Sequence, residues 1–206
     1  SLIFSLNINL TLFLVILVYF IVQLLYCLKL KKVPLLDIFC IAAGFLLRSI
    51  SGGIAANLII SPWFILSVGL LALFLGLEKR KAELRLYETS GILTRDILNK
   101  YSIPLLLRFE SVVTTGSFMT YALWASGPSL NGASTSWMLL TVPFVLIGIF
   151  RYQFLSDPSL QKKLEIKTQK IDCENPVNIL YKDNFIKFVI LSWAISKMLI
   201  SGLTIL

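Results

Sequence analysis

Six hydrophobic stretches constrain this chain more than any other feature of its sequence. Each is about 20 residues long, which is the length a helix needs to cross the hydrocarbon core of a bilayer. Inside that core only an α-helix or a closed barrel satisfies every backbone hydrogen bond. The sequence therefore predicts an all-α fold, a polytopic transmembrane helix bundle. The six predicted spans are 8–28, 35–56, 59–77, 104–125, 137–155 and 185–206.

The charged residues lie mostly in the loops between these stretches. Only 15% of the 206 residues are charged, against roughly 25% in soluble domains. The polar segments 78–103 and 156–184 are too short to bury a hydrophobic core of their own. Residues 1–206 are therefore predicted to form a single transmembrane domain, with these two segments as its long loops.

Basic residues are concentrated in alternate loops. Clusters of Lys and Arg follow the first, third and fifth stretches, whereas the loops at 51–62 and 126–136 contain neither residue. The positive-inside rule then places loops 78–103 and 156–184 in the cytoplasm and both ends of the chain on the opposite side. The net charge of +8 thus reflects topology and anionic lipid headgroups, and it does not indicate binding to nucleic acid.

The chain contains no histidine and three widely spaced cysteines. The lack of histidine excludes His-ligated zinc and nucleophiles activated by a histidine base. The cysteines lack the spacing of a zinc site or of a disulfide framework. Any catalysis must therefore use carboxylates, Lys, Arg or Tyr.

One polar cluster directly follows the third stretch. If residues 73–84 continue as a helix, Lys79, Arg80 and Glu83 share one face with Gly76 and Tyr87. Two cations beside a carboxylate would suit a phosphorylated substrate, because the cations bind phosphate oxygens and the carboxylate binds a metal ion or a sugar hydroxyl. The same residues also fit a stop-transfer cluster that ends a membrane span. The sequence alone leaves both interpretations open.

Apart from the basic clusters that follow the first, third and fifth stretches, three basic residues lie inside predicted spans. Charged groups in a bilayer are costly and usually face the interior of a bundle. Arg48 follows Asp37 by 11 residues, which places both on one face of a helix. Arg108 has Glu110 beside it, and both are close enough to the end of their span to reach the headgroup region. Lys197 has no evident partner in the sequence.

Several stretches together resemble the UbiA superfamily of intramembrane prenyltransferases, and most closely its decaprenyl-phosphate phosphoribosyltransferase branch. The resemblance implies a nine-helix fold with its active site at the cytoplasmic face. There, a polyprenyl phosphate oxygen attacks the anomeric carbon of phosphoribosyl pyrophosphate with the help of Mg²⁺. The similar segments are Leu25–Asp37, Ala43–Gly52, Ser61–Trp63, Leu77–Leu84, Tyr101–Ser102 and Pro143–Tyr152.

The resemblance also implies roles for individual residues. Glu83 and Asp37 correspond to catalytic positions, and Glu83 is also the implied metal ligand, or the partner of a ribose hydroxyl. The residues implied to bind substrate are Tyr26, Lys29, Arg48, Lys79, Arg80, Arg151 and Tyr152. The implied partners are a polyprenyl lipid, a phosphorylated sugar donor and membrane lipids, with other membrane protein chains as a further option.

The sequence departs from the family in one important respect. The family's first motif, N-D-x-x-D-x-x-x-D, is absent and would lie on upstream helices, so six spans fit a chain that begins around the fourth helix. Without that motif, a single carboxylate cluster cannot complete the coordination of a Mg²⁺ ion that bridges a pyrophosphate.

Two hypotheses therefore remain open. The first is an intramembrane transferase that joins a polyprenyl phosphate to a phosphoribosyl group or a related pyrophosphate-activated group. The second is a non-catalytic UbiA-like subunit of a larger membrane complex, which binds a lipid or a quinone. A transporter is disfavoured, because the sequence has no sign of inverted repeats.

Overall fold

The computed structural model describes residues 10–90, 96–157 and 183–203, and these form six α-helices joined by short 3₁₀ turns. No strand occurs within those ranges, which confirms the predicted all-α class. The helices are α1 (Leu10–Leu28), α2 (Leu36–Ala55), α3 (Pro62–Ser90), α4 (Ile103–Ala125), α5 (Val142–Ser156) and α6 (Asn184–Leu203). The 3₁₀ turns are Leu30–Lys32, Asp96–Lys100, Pro128–Leu130 and Ser136–Thr141.

Five helical segments are long and apolar enough to cross a membrane. They are Leu10–Leu28, Leu36–Ala55, Pro62–Glu88, Ser136–Ser156 and Asn184–Gly202. The remaining predicted span corresponds to α4, which has 23 residues and is about 35 Å long. Its length suffices for a span, but Arg108, Glu110 and several Ser and Thr residues make it more polar. The chain is an integral membrane protein.

The chain divides into two compact units, one up to Ser117 and one from Phe118 onward. The prediction of a single transmembrane domain stays a prediction. The predicted loop 156–184 lies largely outside the described residues, as do positions 91–95 of the loop 78–103. Residues 78–90 of that loop are a helical continuation of α3, as the sequence predicted.

In the first unit, α2 and α3 pack closely where α3 has glycines. A Cβ atom at Gly76 would lie 3.0 Å from Cγ2 of Ile38, and one at Gly69 would lie 2.7 Å from Cδ1 of Leu46. Positions 38 and 46 of α2 thus face positions 76 and 69 of α3, so the two helices run antiparallel. Small residues allow helices in a membrane to approach this closely. This pairing brings the start of α2 next to the charged end of α3.

A substitution at Gly76 tests this close approach. We expect Gly76→Val to lower the free energy of unfolding by about 1–3 kcal/mol, because the added side chain overpacks against Ile38. Gly52→Val in α2 is the matched control, since nothing lies within 4 Å of a Cβ at that position. Thermal unfolding in detergent measures both. Equal losses would mean that helix propensity, and not the close approach, determines the effect.

In the second unit, Pro143 lies where a 3₁₀ turn changes into an α-helix. A proline inside a continuous membrane helix would be expected to kink it. Instead, Ser136–Thr141 is 3₁₀ and α5 begins at Val142. Pro143 is in the first turn of α5, where a missing N–H needs no acceptor. The change of helix type at Thr141 therefore takes the place of a kink in the middle of an α-helix.

In the second unit, Lys197 has one ring partner on another helix and one on its own helix. Its ammonium lies 5.6 Å from the ring centroid of Trp124 and 5.4 Å from that of Trp193. The Trp193 indole N–H donates to the Tyr121 hydroxyl at 2.7 Å, and Tyr121 shares a hydrogen bond with Thr141. Attraction to the two ring faces stabilises a cation that has no acidic partner among the described residues.

Candidate functional site

Arg80 lies at the centre of a buried ion network between α2 and α3. Its Nε donates to Oδ2 of Asp37 at 2.6 Å, and its Nη1 donates to Glu83 one turn further along α3. The side chains of Arg80 and Asp37 are 0% exposed, and that of Glu83 is 15% exposed. The predicted helical continuation of α3 and the pairing of Arg80 with Glu83 are both present. The sequence did not predict the contact with Asp37 across helices.

Asp37 is held by a second donor, Tyr101. The Tyr101 hydroxyl donates to Oδ1 of Asp37 at 2.8 Å and accepts from the backbone N–H of Leu35 at 2.6 Å. Burial, together with the neighbouring Asp37 carboxylate, raises the pKa of Tyr101 to about 12. The phenol therefore keeps its proton at neutral pH and acts as a donor. Both oxygens of Asp37 are engaged, one by Arg80 and one by Tyr101.

The surrounding structure explains why these groups meet. Asp37 is in the first turn of α2, where the helix dipole favours a negative charge. The antiparallel packing of α2 on α3 brings Arg80, near the end of α3, next to Asp37 at the start of α2. Buried apolar side chains enclose the cluster and keep water out, which strengthens its electrostatic interactions. These side chains are Ile38, Leu77, Leu84, Ile97, Leu98 and Leu106.

A second ion cluster joins α3 to α4. The Lys81 ammonium lies 2.5 Å from Oε1 of Glu78, as an ion pair without hydrogen-bond geometry, and it donates to Glu110. All three side chains are at most 5% exposed. The expectation that Glu110 reaches the headgroup region is therefore wrong, because Lys81 draws it into the protein interior. Arg108 is exposed, in keeping with that expectation.

The balance of charge in the two clusters bears on what they can bind. Four carboxylates face two cations, Arg80 and Lys81, in the contacts described above. Lys79 is half-buried on α3 and forms no ion pair with another described residue. Nη2 of Arg80 has no hydrogen-bond partner within the described part of the chain. The unused donors for an anion are thus Nη2 of Arg80 and the Lys79 ammonium.

The described residues do not form a Mg²⁺ site by themselves. Nowhere in the described ranges do three or more His, Cys, Asp or Glu side chains converge in a way that could hold a metal ion. Asp37 has both oxygens engaged, and Glu78 and Glu110 share Lys81. Only Glu83, which is partly exposed, could contribute a ligand. Glu83 as a metal ligand stays a prediction.

The other site residues predicted in the first unit are not members of the ion pairs described above. Tyr26 is half-buried near the end of α1, and Lys29 is exposed just beyond it. Arg48 was expected to face the interior of the bundle, but it is exposed. It donates to the Tyr19 hydroxyl at 2.6 Å and lies 5.3 Å from the centroid of the Tyr19 ring. The guanidinium is long enough to reach over α1, so it does not turn into the core.

Arg151 and Tyr152 belong to the second unit. Arg151 binds Asp183 with both Nε and Nη2, at 2.9 and 3.3 Å, and it lies over the Phe154 and Phe185 rings. Partial burial raises the pKa of Asp183, but the hydrogen bonds and charge of Arg151 outweigh this effect, so the pKa lies below its ordinary value. Tyr152 is buried. Asp183 was not predicted as a partner, although an Asp directly before a helix is a recognisable N-cap signal.

Helical spans with buried charged clusters between them define a class of protein, the polytopic α-helical membrane protein with a polar interior site.

No family model matches the chain. Three curated relatives, each named decaprenyl-phosphate phosphoribosyltransferase, are similar to it. The protein of Mycolicibacterium smegmatis is 33% identical over 201 residues, 94% of this chain and 59% of the relative. The protein of Corynebacterium glutamicum is 38% identical over 138 residues, 66% of this chain and 41% of the relative.

The third relative is from Mycobacterium tuberculosis and is 32% identical over 181 residues, 87% of this chain and 55% of the relative. These similarities confirm the resemblance. The chain is homologous to the decaprenyl-phosphate phosphoribosyltransferases, which are members of the UbiA superfamily. It spans between 41% and 59% of the length of these relatives.

Proposed function

We propose that this chain forms part of an intramembrane transferase that joins a polyprenyl phosphate to a phosphoribosyl group. The names of its curated relatives support this function, because they describe transfer of a phosphoribosyl group to decaprenyl phosphate. In our proposal the basic loops face the cytoplasm, where a soluble phosphorylated donor is available. Both ends of the chain then lie on the other side of the membrane.

The observation that carries the proposal is the way Arg80 is held. Asp37 and Glu83 bind two of its nitrogens and orient the guanidinium, and Nη2 has no partner among the described residues. A pre-oriented donor in a site shielded from water stabilises developing negative charge better than a mobile one. Lys79, on the neighbouring position of α3, supplies a second cation. Together they suit the oxygens of a diphosphate leaving group.

In the proposed reaction, a phosphate oxygen of the lipid forms a bond to the anomeric carbon of the donor. The bond between that carbon and the diphosphate breaks, and the diphosphate leaves with the electron pair. Arg80 and Lys79 bind the negative charge that gathers on the leaving group. Asp37 contributes by orienting Arg80, since both of its oxygens are engaged. In this proposal Glu83, the least buried carboxylate of the network, accepts from a ribose hydroxyl.

The remaining predicted residues keep their proposed substrate-binding roles. Tyr26 and Lys29 are close to the end of α1, and Lys29 is free to contact a lipid phosphate because it is exposed. Arg48 is proposed to bind the lipid from its exposed position, and Arg151 and Tyr152 are likewise proposed to bind substrate. No step is assigned to Mg²⁺, because the described residues do not supply a complete ligand set for it.

Transfer from labelled phosphoribosyl pyrophosphate to polyprenyl phosphate, measured with the full-length protein in liposomes, tests this function. We expect Lys79→Ala and Glu83→Ala each to lower kcat about 100-fold, the effect typical of removing a positioned polar group that acts in the transition state. Glu88→Ala is the control, because Glu88 is exposed on the same helix. Wild-type rates in both Lys79→Ala and Glu83→Ala would contradict the proposal.

One observation favours a second candidate, a non-catalytic subunit that binds a lipid or quinone within a larger membrane complex. Arg80 and Asp37 are fully buried, and four carboxylates outnumber two cations. A closed network of this kind can hold helices together without any ligand. Purification of a folded full-length protein that binds polyprenyl phosphate but transfers nothing to it would favour this candidate over the transferase.

A further inference from the structure

The Tyr101 hydroxyl binds two groups of the first unit, the backbone N–H of Leu35 and the carboxylate of Asp37. Tyr101 follows the 3₁₀ turn Asp96–Lys100, is 7% exposed, and packs within the apolar cluster around the ion network. Its hydroxyl accepts from the N–H of Leu35 at 2.6 Å and donates to Oδ1 of Asp37 at 2.8 Å. These two partners stand at the start of α2, more than 60 residues before Tyr101 in the sequence.

Leu35 has a strained backbone. Its φ of 68° and ψ of −46° are close to those of the γ-turn with positive φ, which is rare and strained. The other two described non-glycine residues with positive φ are both asparagines, and Asn131 has the left-handed helical angles that Asn tolerates. Strained angles of this kind persist only where the surroundings enforce them, and they occur preferentially at functional sites. At Leu35 the N–H donates to the Tyr101 hydroxyl and the carbonyl accepts from Ile38 and Phe39, so Tyr101 supplies one of the contacts that hold this conformation.

The same hydroxyl also determines the orientation of Arg80. It holds one oxygen of Asp37, and the other oxygen accepts from Nε of Arg80 at 2.6 Å. With Nη1 on Glu83, the guanidinium has a single orientation, in which Nη2 is left without a described partner. We infer that Tyr101 is a positioning residue, which acts through Asp37 to keep Arg80 ready for the diphosphate. This inference rests on the proposed function.

Removal of the hydroxyl separates this role from simple packing. In Tyr101→Phe the ring still fills the apolar cluster, but Asp37 loses a donor and the Leu35 N–H loses its acceptor. A carboxylate with one partner fewer can rotate and take Arg80 with it. We expect kcat to fall about 10- to 100-fold, since small displacements of a positioned group have effects of this size. We also expect a higher KM for the phosphorylated donor.

Leu35→Gly distinguishes positioning from stability. Glycine adopts positive φ without strain, so this change removes the need to enforce the turn at Leu35. We expect Tyr101→Phe to lower Tm, and the double variant Leu35→Gly, Tyr101→Phe to regain most of that Tm while kcat stays low. Tyr87→Phe is the matched control, because Tyr87 packs against the same apolar cluster and makes no hydrogen bond to a described residue through its hydroxyl.

The experiment compares these variants with wild type in the full-length protein, by transfer assay, by Tm and by hydrogen exchange of residues 35–38 and 78–83. Recovery of kcat together with Tm in the double variant would overturn the inference, as would an unchanged kcat in Tyr101→Phe. If the wild-type protein transfers nothing, the proposed function fails, and hydrogen exchange then decides the inference alone. Faster exchange at both segments in Tyr101→Phe would support the link from Tyr101 to Arg80, and an effect limited to 35–38 would refute it.

Discussion

Arg80→Met lowers the free energy of unfolding by about 3–5 kcal/mol, the typical result of removing one partner from a buried ion pair. The reason is the charge that remains. Asp37 is fully buried, and it would keep only the Tyr101 hydroxyl as a partner, while Glu83 would lose its cation. Unfolding in detergent–SDS mixtures measures the loss. Arg108→Met is the control and should change stability little, because Arg108 is exposed on α4.

A second substitution separates lost charge compensation from lost packing. Asp37→Asn combined with Arg80→Met should be less destabilising than the sum of the two single changes, because the amide is neutral and can still accept from Tyr101. Additive losses in this double-mutant cycle would show that Arg80 contributes mainly through its packing. In that case its role as an oriented donor would lose its structural basis.

Lys81→Met is expected to have a comparable effect, about 3–5 kcal/mol, because it leaves Glu78 and Glu110 as two buried carboxylates without their shared cation. Glu110→Gln should be mild by comparison. The amide oxygen can still accept from Lys81, and the remaining pair of Lys81 with Glu78 is balanced in charge. The same unfolding measurement in detergent–SDS mixtures compares the two variants.

Lys79→Met is the matched control for stability, since Lys79 is the neighbouring half-buried lysine without an ion pair to a described residue. A loss at Lys79 equal to that at Lys81 would mean that position on α3, and not pairing with two carboxylates, decides the result. A Glu110→Gln variant less stable than Lys81→Met would likewise contradict the charge argument.

Contacts that depend on spacing within one helix could be read from the sequence. The pairing of Arg80 with Glu83 follows from their separation of three residues once α3 is known to continue beyond the membrane span. The same rule applied to Glu78 and Lys81 would have identified half of the second cluster. Arg108 beside Glu110 illustrates the limit of such reasoning, because neighbours in sequence point in different directions, and only Glu110 is buried.

Contacts between helices could not be read in this way. Asp37 and Arg80 are 43 residues apart, and Asp37 and Tyr101 are 64 apart. These contacts depend on the close packing of α2 against the glycines of α3. They also depend on the position of the 3₁₀ turn Asp96–Lys100, which precedes Tyr101 and α4. Trp124, one of the two rings beside Lys197, likewise lies on a different helix, whereas Trp193 is four residues before Lys197 and its contact follows from spacing within α6. Arg48 was expected inside the bundle, yet its side chain extends to Tyr19 on α1 and stays exposed.

The sequence by itself determined that this is a helical membrane protein, because about 20 consecutive apolar residues leave the backbone no other way to satisfy its hydrogen bonds in a bilayer. Six short segments of the sequence also indicated the family to which its curated relatives belong. Only the tertiary structure decided which charges are partners. Burial makes an unpaired charge costly, so the packing of α2, α3 and α4 selected Asp37, Tyr101 and Glu110 as the groups that satisfy Arg80 and Lys81.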